Sequence, residues 1–169
     1  MSKLRLTTEE IMKMAMFEKI SKVYPIDCLI FDDRIAFIVK EGEIGAAVGK
    51  GGEHVKEAEQ KFGKKIDIIE YSNDWRKFVR NVFAPLRLND IWIKRVGKDV
   101  IAYIKIHPRI RRAVFGERGS NLKRALDILK RHTKITKIKV IVEQPQRRRQ
   151  NKPQNQNNIQ KTQENTETQ

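Results

Sequence analysis

Apolar residues in this chain recur at two spacings, one typical of helices and one typical of strands, in an order that occurs twice. In the first half, Thr7 and Glu10 have capping-box spacing and predict a helix that runs to about Ser21. Two apolar runs that meet at Asp32-Asp33 then predict a hairpin. The elements expected after that helix are strands Ile26–Phe31 and Arg34–Val39, helices Ile44–Val48 and Glu53–Gly63, and strand Lys65–Ile69.

The second half repeats this order. After the short connection Tyr71-Ser72-Asn73, either Ser72 or Asn73 is expected to cap a helix. Trp75, Phe78, Val79, Val82 and Phe83 give that helix one apolar face with a period of 3.6 residues, and we interpret Trp75, Phe78 and Trp92 as packing residues. The elements expected next are strands Asn89–Val96 and Val100–Ile106 around a turn at Gly97-Lys98-Asp99, helices Pro108–Phe115 and Ser120–His132, and strand Ile138–Val142.

The repeat has the size of a domain. Gly49 and Gly116 are 67 residues apart, and the same shift superimposes the apolar positions of the helices that follow them. We therefore predict an α+β fold with two domains, residues 1–72 and 73–143, each with the order α-β-β-α-GxxG-α-β. The connection between them is too short to act as a flexible tether, so a nearly fixed relative orientation is expected.

A G-x-x-G sequence lies between two helices in each repeat. The two sequences are Gly49, Lys50, Gly51 and Gly52 in the first, and Gly116, Glu117, Arg118 and Gly119 in the second. Glycine permits positive φ and a close approach of another chain, and the amides at the start of the following helix favour an anion. The pattern is typical of a clamp for a phosphate backbone.

A nucleotide-binding P-loop is the competing interpretation of the first turn. Three residues separate Gly45 from Gly49 where a P-loop has four, and Gly51 occupies the position of the hydroxyl residue that holds Mg²⁺. The sequence therefore disfavours a P-loop.

With its helices, G-x-x-G turns and closing strands, each repeat resembles a KH RNA-binding domain of type II, in which the extra helix and strand precede the turn. Over residues 5–143 the chain resembles the archaeal NusA-like transcription factor family, which is similar to the tandem KH portion of bacterial NusA. The resemblance implies binding of nascent single-stranded RNA and regulation of transcription elongation or termination. The polymerase-binding and S1 domains of the bacterial protein have no counterpart in 169 residues. The resemblance therefore implies RNA polymerase as a partner, but no residue of this chain is predicted to contact it.

The predicted RNA contacts cluster around the two turns. Lys50 is the expected phosphate ligand of the first, although a solvated turn lysine is the plainer alternative. Glu117 places a carboxylate where a phosphate should lie, but Arg118 beside it and the surrounding cations offset that charge. We therefore interpret the second turn as a working site with altered geometry, with a decayed repeat as the alternative. The other candidates are the apolar groove residues Ile44, Val48, Ile68, Val114, Phe115 and Ile138, which could instead belong to the core, and the basic residues Arg111, Arg112, Arg118, Lys123 and Arg124.

The charge of the chain supports an anionic partner and indicates which half attracts it. The formal net charge is +15. Residues 1–72 carry 12 basic and 13 acidic side chains, whereas residues 73–143 carry 19 and 6. We therefore expect the second half to supply most of the long-range attraction for RNA.

The sequence gives little support to other classes of function. One cysteine, Cys28, and three scattered histidines predict no disulfide framework and no metal site, and Cys28 is expected to be a small buried residue. No constellation suggests catalysis or a cofactor, so an enzyme is not expected. The absence of an apolar signal or membrane segment predicts a cytoplasmic protein, and a monomer is expected.

Residues 144–169 are expected to form a disordered tail because 13 of these 26 residues are Gln or Asn. The arginines at 147–149 could add non-specific affinity for phosphate. Two alternative functions remain open at this stage. One is a ribosome-assembly or other KH protein that binds RNA without RNA polymerase. The other is a protein-interaction scaffold built on degenerate KH folds.

Overall fold

The computed structural model describes residues 4–144. The predicted tail, including the arginines at 147–149, lies outside the described residues apart from Gln144. The first half contains helix α1 (Thr8–Ser21), strands β1 (Asp27–Ile30) and β2 (Arg34–Val39), helices α2 (Ile44–Val48) and α3 (Glu53–Phe62), and strand β3 (Lys65–Glu70). A single 3₁₀ turn, Lys50–Gly52, separates α2 from α3.

The second half contains the corresponding elements. They are helix α4 (Trp75–Phe83), strands β4 (Asp90–Val96) and β5 (Asp99–Ile106), helices α5 (Arg111–Phe115) and α6 (Ser120–His132), and strand β6 (Lys137–Val142), with 3₁₀ turns at Pro108–Ile110 and Glu117–Gly119. All six predicted strands are confirmed to within one residue at each end. Asp74, rather than Ser72 or Asn73, caps α4, because its carboxylate accepts from the amides of Arg76 and Lys77. Asp99 belongs to β5 and not to the turn.

The two halves form two three-stranded sheets of one topology. In each sheet an antiparallel hairpin is followed by a strand parallel to its second member, in the orders β1-β2-β3 and β4-β5-β6. Equivalent cross-strand rows follow from the registers. The row Leu29, Ala36 and Asp67 of the first sheet corresponds to the row Trp92, Tyr103 and Lys139 of the second. Both sheets and their flanking helices give an α+β architecture.

The first sheet is covered on both faces. One face packs on its own helices through a cluster that includes Met14, Phe17 and Phe37. Along α1 the buried positions are Met14, Phe17 and Ile20, while Ile11 is exposed. The opposite face of the sheet carries Leu29, Ala36, Ile38 and Ile69, which share one buried cluster with Phe78, Ala125 and Leu129 of the second half. The two halves therefore share a core, and their relative orientation is fixed by packing as well as by the short connection.

Asp27 anchors an ionic network across this contact. Its side chain is fully buried, and its oxygens lie 2.9 Å from Arg131 Nη2 and 2.7 Å from His132 Nε2 at the end of α6. Glu10 accepts from both terminal nitrogens of Arg131 at 3.3 Å. The amide of Cys28 donates to Asp27 Oδ1 at 2.8 Å. The buried carboxylate thus has an arginine, a histidine and a backbone amide as partners.

Cys28 lies in the core, as predicted, and its environment gives a test of native packing. Burial, together with the charges of Glu10 and Asp27, raises the pKa of the thiol to about 12. The thiolate is the reactive form of cysteine. We therefore expect an alkylating reagent at about pH 8 to label Cys28 in the folded chain only as fast as the surrounding structure opens. Mass spectrometry of quenched samples measures this rate, and the chain in denaturant is the control. Rapid labelling under native conditions would contradict the buried position.

Among residues 4–144, no helix combines the length and apolar character needed to cross a membrane.

Candidate nucleic-acid interface

Two four-residue segments, the first hinge (Gly49–Gly52) and the second hinge (Gly116–Gly119), have the same backbone conformation. The first residue of each has φ of 78° or 71° with extended ψ, and the last has φ of 77° or 76°. The third residue is left-handed in both, with φ of 61° at Gly51 and 53° at Arg118. Side chains disfavour such φ values. Arg118 adopts one nevertheless, so the second hinge keeps the shape of the first without the third glycine.

Both hinges present backbone amides on an exposed turn. Lys50 and Gly51 are exposed in the first, as are Glu117 and Arg118 in the second. The first amides of a helix have no intrahelical acceptor, and a residue of negative φ followed by one of positive φ directs neighbouring amides into one concavity that favours an anion. α3 and α6 begin directly after the hinges, but the amides of their first residues, Glu53 and Ser120, donate to the carbonyl oxygens of Lys50 and Glu117, so the amides of the two middle hinge residues are the candidates for an anion. The predicted Gly49, Gly52, Gly116 and Gly119 lie at the edges of these concavities.

A polar side chain early in the following helix braces each hinge. His54 Nδ1 lies 2.9 Å from the carbonyl oxygen of Ala46, and Asn121 Nδ2 donates to that of Ala113. Because a carbonyl only accepts, His54 carries a proton on Nδ1. The brace leaves no room beside the first glycine. A Cβ on Gly49 would lie 2.7 Å from the His54 ring, and one on Gly116 would lie 2.8 Å from the backbone nitrogen of Asn121.

An apolar groove adjoins the first hinge. Ile44 on α2 is 36% exposed, and Val48 and Ile68 are half-buried. α2 packs beside the edge strand β3, which brings the predicted groove residues to one side of the hinge. Lys50 is exposed at the end of the groove and forms no ion pair with any residue from 4 to 144. The first hinge therefore combines a free cation, exposed amides and an apolar surface.

The second hinge has a basic rim. Arg111, Arg112, Phe115, Gly116 and Glu117 line a cleft of about 480 Å³. The Arg111 guanidinium lies 5.6 Å from the centre of the Phe115 ring. Lys123 is also exposed, one turn into α6. The Glu117 carboxylate is thus set among cations, and Phe115 is the accessible apolar member.

Three predicted residues of this half occupy other positions. Val114 is fully buried and belongs to the core, and Ile138 is half-buried and packs against the same core, as Ile68 packs against the core of the first half. Arg124 lies between the two halves, 3.4 Å from Asp33, and also donates to Asn121. Burial, with the nearby charge of Arg34, lowers the pKa of Arg124. Sequence reasoning could not see this contact because it joins residues 91 positions apart.

A cleft between the two halves lies beside both sites, although no hinge residue lines it. It has a volume of about 400 Å³, and its lining includes Asp67 and Ile68 of β3 together with Ala113 and Asn121, which flank the second hinge. Arg34 also lines this cleft, and its guanidinium pairs with the Asp67 carboxylate at 3.2 Å. The groove edge of the first half and the brace of the second hinge therefore border one depression. No cluster of three or more potential metal ligands occurs within residues 4–144.

Comparisons with known proteins agree with this arrangement. Residues 11–107 match the family model described as KH domain. The chain is 73% identical over 143 residues to the "Probable transcription termination protein NusA" of Methanocaldococcus jannaschii, which covers 85% of this chain and 78% of the relative. The chain belongs to the archaeal NusA-like family of KH-domain proteins. The similarly named protein of Methanococcus vannielii is 50% identical over 139 residues, 82% of this chain and 80% of that relative.

The family similarity extends over both hinges. The KH model match ends before the second hinge, but any span of 143 residues in a chain of 169 includes both of them. The crystal structure of APE1850 is also similar, with a TM-score of 0.69 and 30% identity over 80% of this chain and 100% of that one. The NusA-like fold therefore covers more than the segment matched by the KH model.

Sequence reasoning missed the braces of the two hinges. It left His54 open between an RNA contact and an ordinary helix-surface residue, and it did not consider Asn121. The signal was present in the repeat, since the shift of 67 residues places His54 on Asn121 and Ala46 on Ala113. Two different polar side chains at one repeat position, each able to donate to a carbonyl, would have identified the brace.

Proposed function

We propose that this chain binds single-stranded RNA through two type II KH domains, residues 1–72 and 73–143, and regulates transcription elongation or termination. The observation that carries the proposal is the shared backbone conformation of the two hinges, each braced by an equivalent side chain. The name of the archaeal relatives, probable transcription termination protein, supports a role in transcription. The nascent transcript is the proposed ligand and RNA polymerase the proposed second partner.

In this mechanism each hinge holds the sugar-phosphate backbone and the neighbouring groove receives bases. Amides at the hinge donate to phosphate oxygens, and Lys50 supplies the cation at the first site. The cleft lined by Ile68 and Asn121 then joins the two sites into one track. A strand held at one hinge meets the second at high effective concentration, because the shared core fixes the distance between them.

The test is a double substitution at the first hinge, Lys50→Asp with Gly51→Asp. The change removes the proposed phosphate ligand and adds two like charges, so we expect at least about a tenfold loss of affinity for RNA. No atom lies within 4 Å of a Cβ added at Gly51, and aspartate tolerates left-handed φ better than most residues. Fluorescence anisotropy with labelled oligouridylate measures the affinity, and circular dichroism checks folding.

The matched control lies at the other end of the same helix. Lys61→Asp with Gly63→Asp makes the same charge change at a glycine of φ 66° that also has no neighbour within 4 Å. We expect this variant to bind nearly as the wild type does. Equal affinities for the two variants would refute the hinge assignment. In the wild type, the logarithm of affinity should fall with that of salt concentration, by about 0.7 per neutralised phosphate.

Glu117 favours one alternative, a KH-fold scaffold for proteins whose second hinge no longer grips RNA. Its carboxylate is exposed at the position expected for a phosphate. Crosslinking in cells separates the candidates. Recovery of nascent transcripts with polymerase subunits supports the proposal, recovery of pre-ribosomal RNA supports a ribosome-assembly role, and recovery of proteins without RNA supports the scaffold.

A further inference from the structure

The second sheet has an open face that the first sheet lacks. In the first sheet the face turned away from α2 and α3 carries Leu29 and Ala36, and the second half covers it. The corresponding face of the second sheet, here called the outer face, has three full cross-strand rows. These are Trp92, Tyr103 and Lys139, then Lys94, Ile101 and Lys137, and then Asp90, Lys105 and Ile141. Its lysines at 94, 137 and 139 are exposed, although Ile101 between two of them is only 4% exposed.

Trp92 and Tyr103 form a flat aromatic surface on this face. Their rings are parallel to within 3° and their centres are 5.4 Å apart. Both side chains are only half-buried. Lys139 Nζ lies 5.9 Å from the centre of the Tyr103 ring, beside the aromatic pair. This position does not fit the sequence-based interpretation of Trp92 as a packing residue, because the core of this sheet lies on its opposite face.

The charges on the outer face are positive in balance. Each carboxylate has a cationic partner, since Asp99 pairs with Lys137 at 2.7 Å and Glu143 with Lys105 at 3.2 Å. Asp90, at the edge, lies 3.7 Å from Arg76. Lys94 and Lys139 pair with no carboxylate among residues 4–144. Two uncompensated cations therefore flank the aromatic pair.

We propose that the outer face is a second binding surface for single-stranded nucleic acid, separate from the hinges. Bases stack on Trp92 and Tyr103, and Lys94 and Lys139 contact phosphates. Aromatic platforms with adjacent cations bind single strands in this way because every base has a stacking face. The inference rests on the proposed RNA binding and adds a site for longer strands, which leave the hinges and continue over the sheet.

The alternative occupants are less well matched to the face. A protein partner or a second copy of this chain would bury Lys94 and Lys139 without a carboxylate opposite them unless it supplied acids, and buried unpaired charge is costly. A single strand supplies one phosphate per nucleotide and flat bases between them. The proposal therefore commits to RNA and leaves the other occupants as outcomes that would overturn it.

The test uses the tryptophan itself as reporter. Trp75→Phe leaves Trp92 as the only tryptophan in the full chain. We expect an oligouridylate of about 20 nucleotides to quench its fluorescence, and one of about 5 nucleotides, enough for a single hinge, to quench it much less. The reciprocal variant, Trp92→Phe, keeps Trp75 as reporter and should show little change. Anisotropy of labelled RNA in the same samples reports total binding.

Substitutions then measure the contribution of the face. Trp92→Leu with Tyr103→Leu should weaken binding of the longer RNA by about five- to a hundredfold and leave the shorter RNA unaffected. Lys94→Gln with Lys139→Gln should reduce both quenching and salt dependence. Lys19→Gln with Lys22→Gln, on α1 and its cap, makes the same charge change as a control.

The outcomes separate this site from the hinges. Quenching of Trp92 that persists in the Lys50→Asp and Gly51→Asp variant would support the outer face while the hinge proposal failed. Saturation by the longer RNA without a change in Trp92 fluorescence would overturn the outer face alone. Shielding of Trp92 from acrylamide in the free protein would also overturn the proposal. Shielding that did not depend on protein concentration would show that the chain's own residues cover the face, and shielding that increased with concentration would show that a second copy covers it.

Discussion

Asp27→Ala is expected to lower the free energy of unfolding by about 3–5 kcal/mol, the cost of removing one partner from a buried ion pair. The substitution leaves His132 and Arg131 facing a cavity in the contact between the two halves, where the Asp27 side chain has no exposed surface. It also removes the acceptor of the Cys28 amide. Chemical denaturation followed by circular dichroism measures the loss.

Asp33→Ala is the matched control. Asp33 also pairs with an arginine of the second half, Arg124 at 3.4 Å, but its side chain is 59% exposed. Water screens such a pair, so the same substitution should cost less than about 1 kcal/mol. Similar losses for the two variants would show that the Asp27 network does not hold the halves together. We also expect one unfolding transition in the wild type, because the core cluster includes residues of both halves.

The Glu10 contact with Arg131 adds a pH dependence to this network. Burial alone would raise the pKa of Glu10, but hydrogen bonds from Arg131 and Thr7 outweigh it and lower that pKa below its ordinary value of 4.5. The unfolded chain then binds more protons as the pH falls. This contribution to stability is therefore complete well above pH 4.5 and is lost as the pH falls through the lowered pKa.

The local elements were predictable because their signals are local. The capping box at Thr7 and Glu10, the C-terminal glycine at Gly63 and the strand boundaries are confirmed in the structure. Each depends on residues only a few positions apart, for which spacing and turn chemistry suffice. The hinges were predictable for the same reason, because their glycines indicate a turn and the repeat places that turn at the same position in both halves.

Contacts between the halves were not predictable in this way. Periodicity assigns Arg124 to the polar side of α6, but the partner that makes it part of the interface, Asp33, belongs to the other half. The alternation of side chains along each strand also predicts two faces for each sheet, but it does not indicate which face packs against the other half of the chain. Ala36 and Tyr103 occupy equivalent rows, and only the packing of the first sheet on α4 and α6 distinguishes a buried face from an open one.

Gly116→Ala is the second large effect, and the structure predicts that it exceeds the effect of Gly49→Ala. Gly116 has φ 71° and ψ −179°, a region open almost only to glycine. Its new Cβ would lie 2.8 Å from the backbone nitrogen of Asn121, which cannot move without displacing α6. Backbone strain and overpacking together should cost about 2–5 kcal/mol in unfolding free energy.

The other glycines separate the two causes. At Gly49 the Cβ would meet the His54 ring, a side chain that can rotate away at the cost of its contact with Ala46, so the loss should be smaller. Gly119→Ala has left-handed φ but no neighbour within 4 Å, so strain alone should cost about 1–2 kcal/mol. Thermal and denaturant unfolding of the three variants gives the order. If Gly119→Ala destabilised the chain as much as Gly116→Ala, close packing at Gly116 would not explain its sensitivity, because of these two glycines only Gly116 would place a Cβ against the backbone of Asn121.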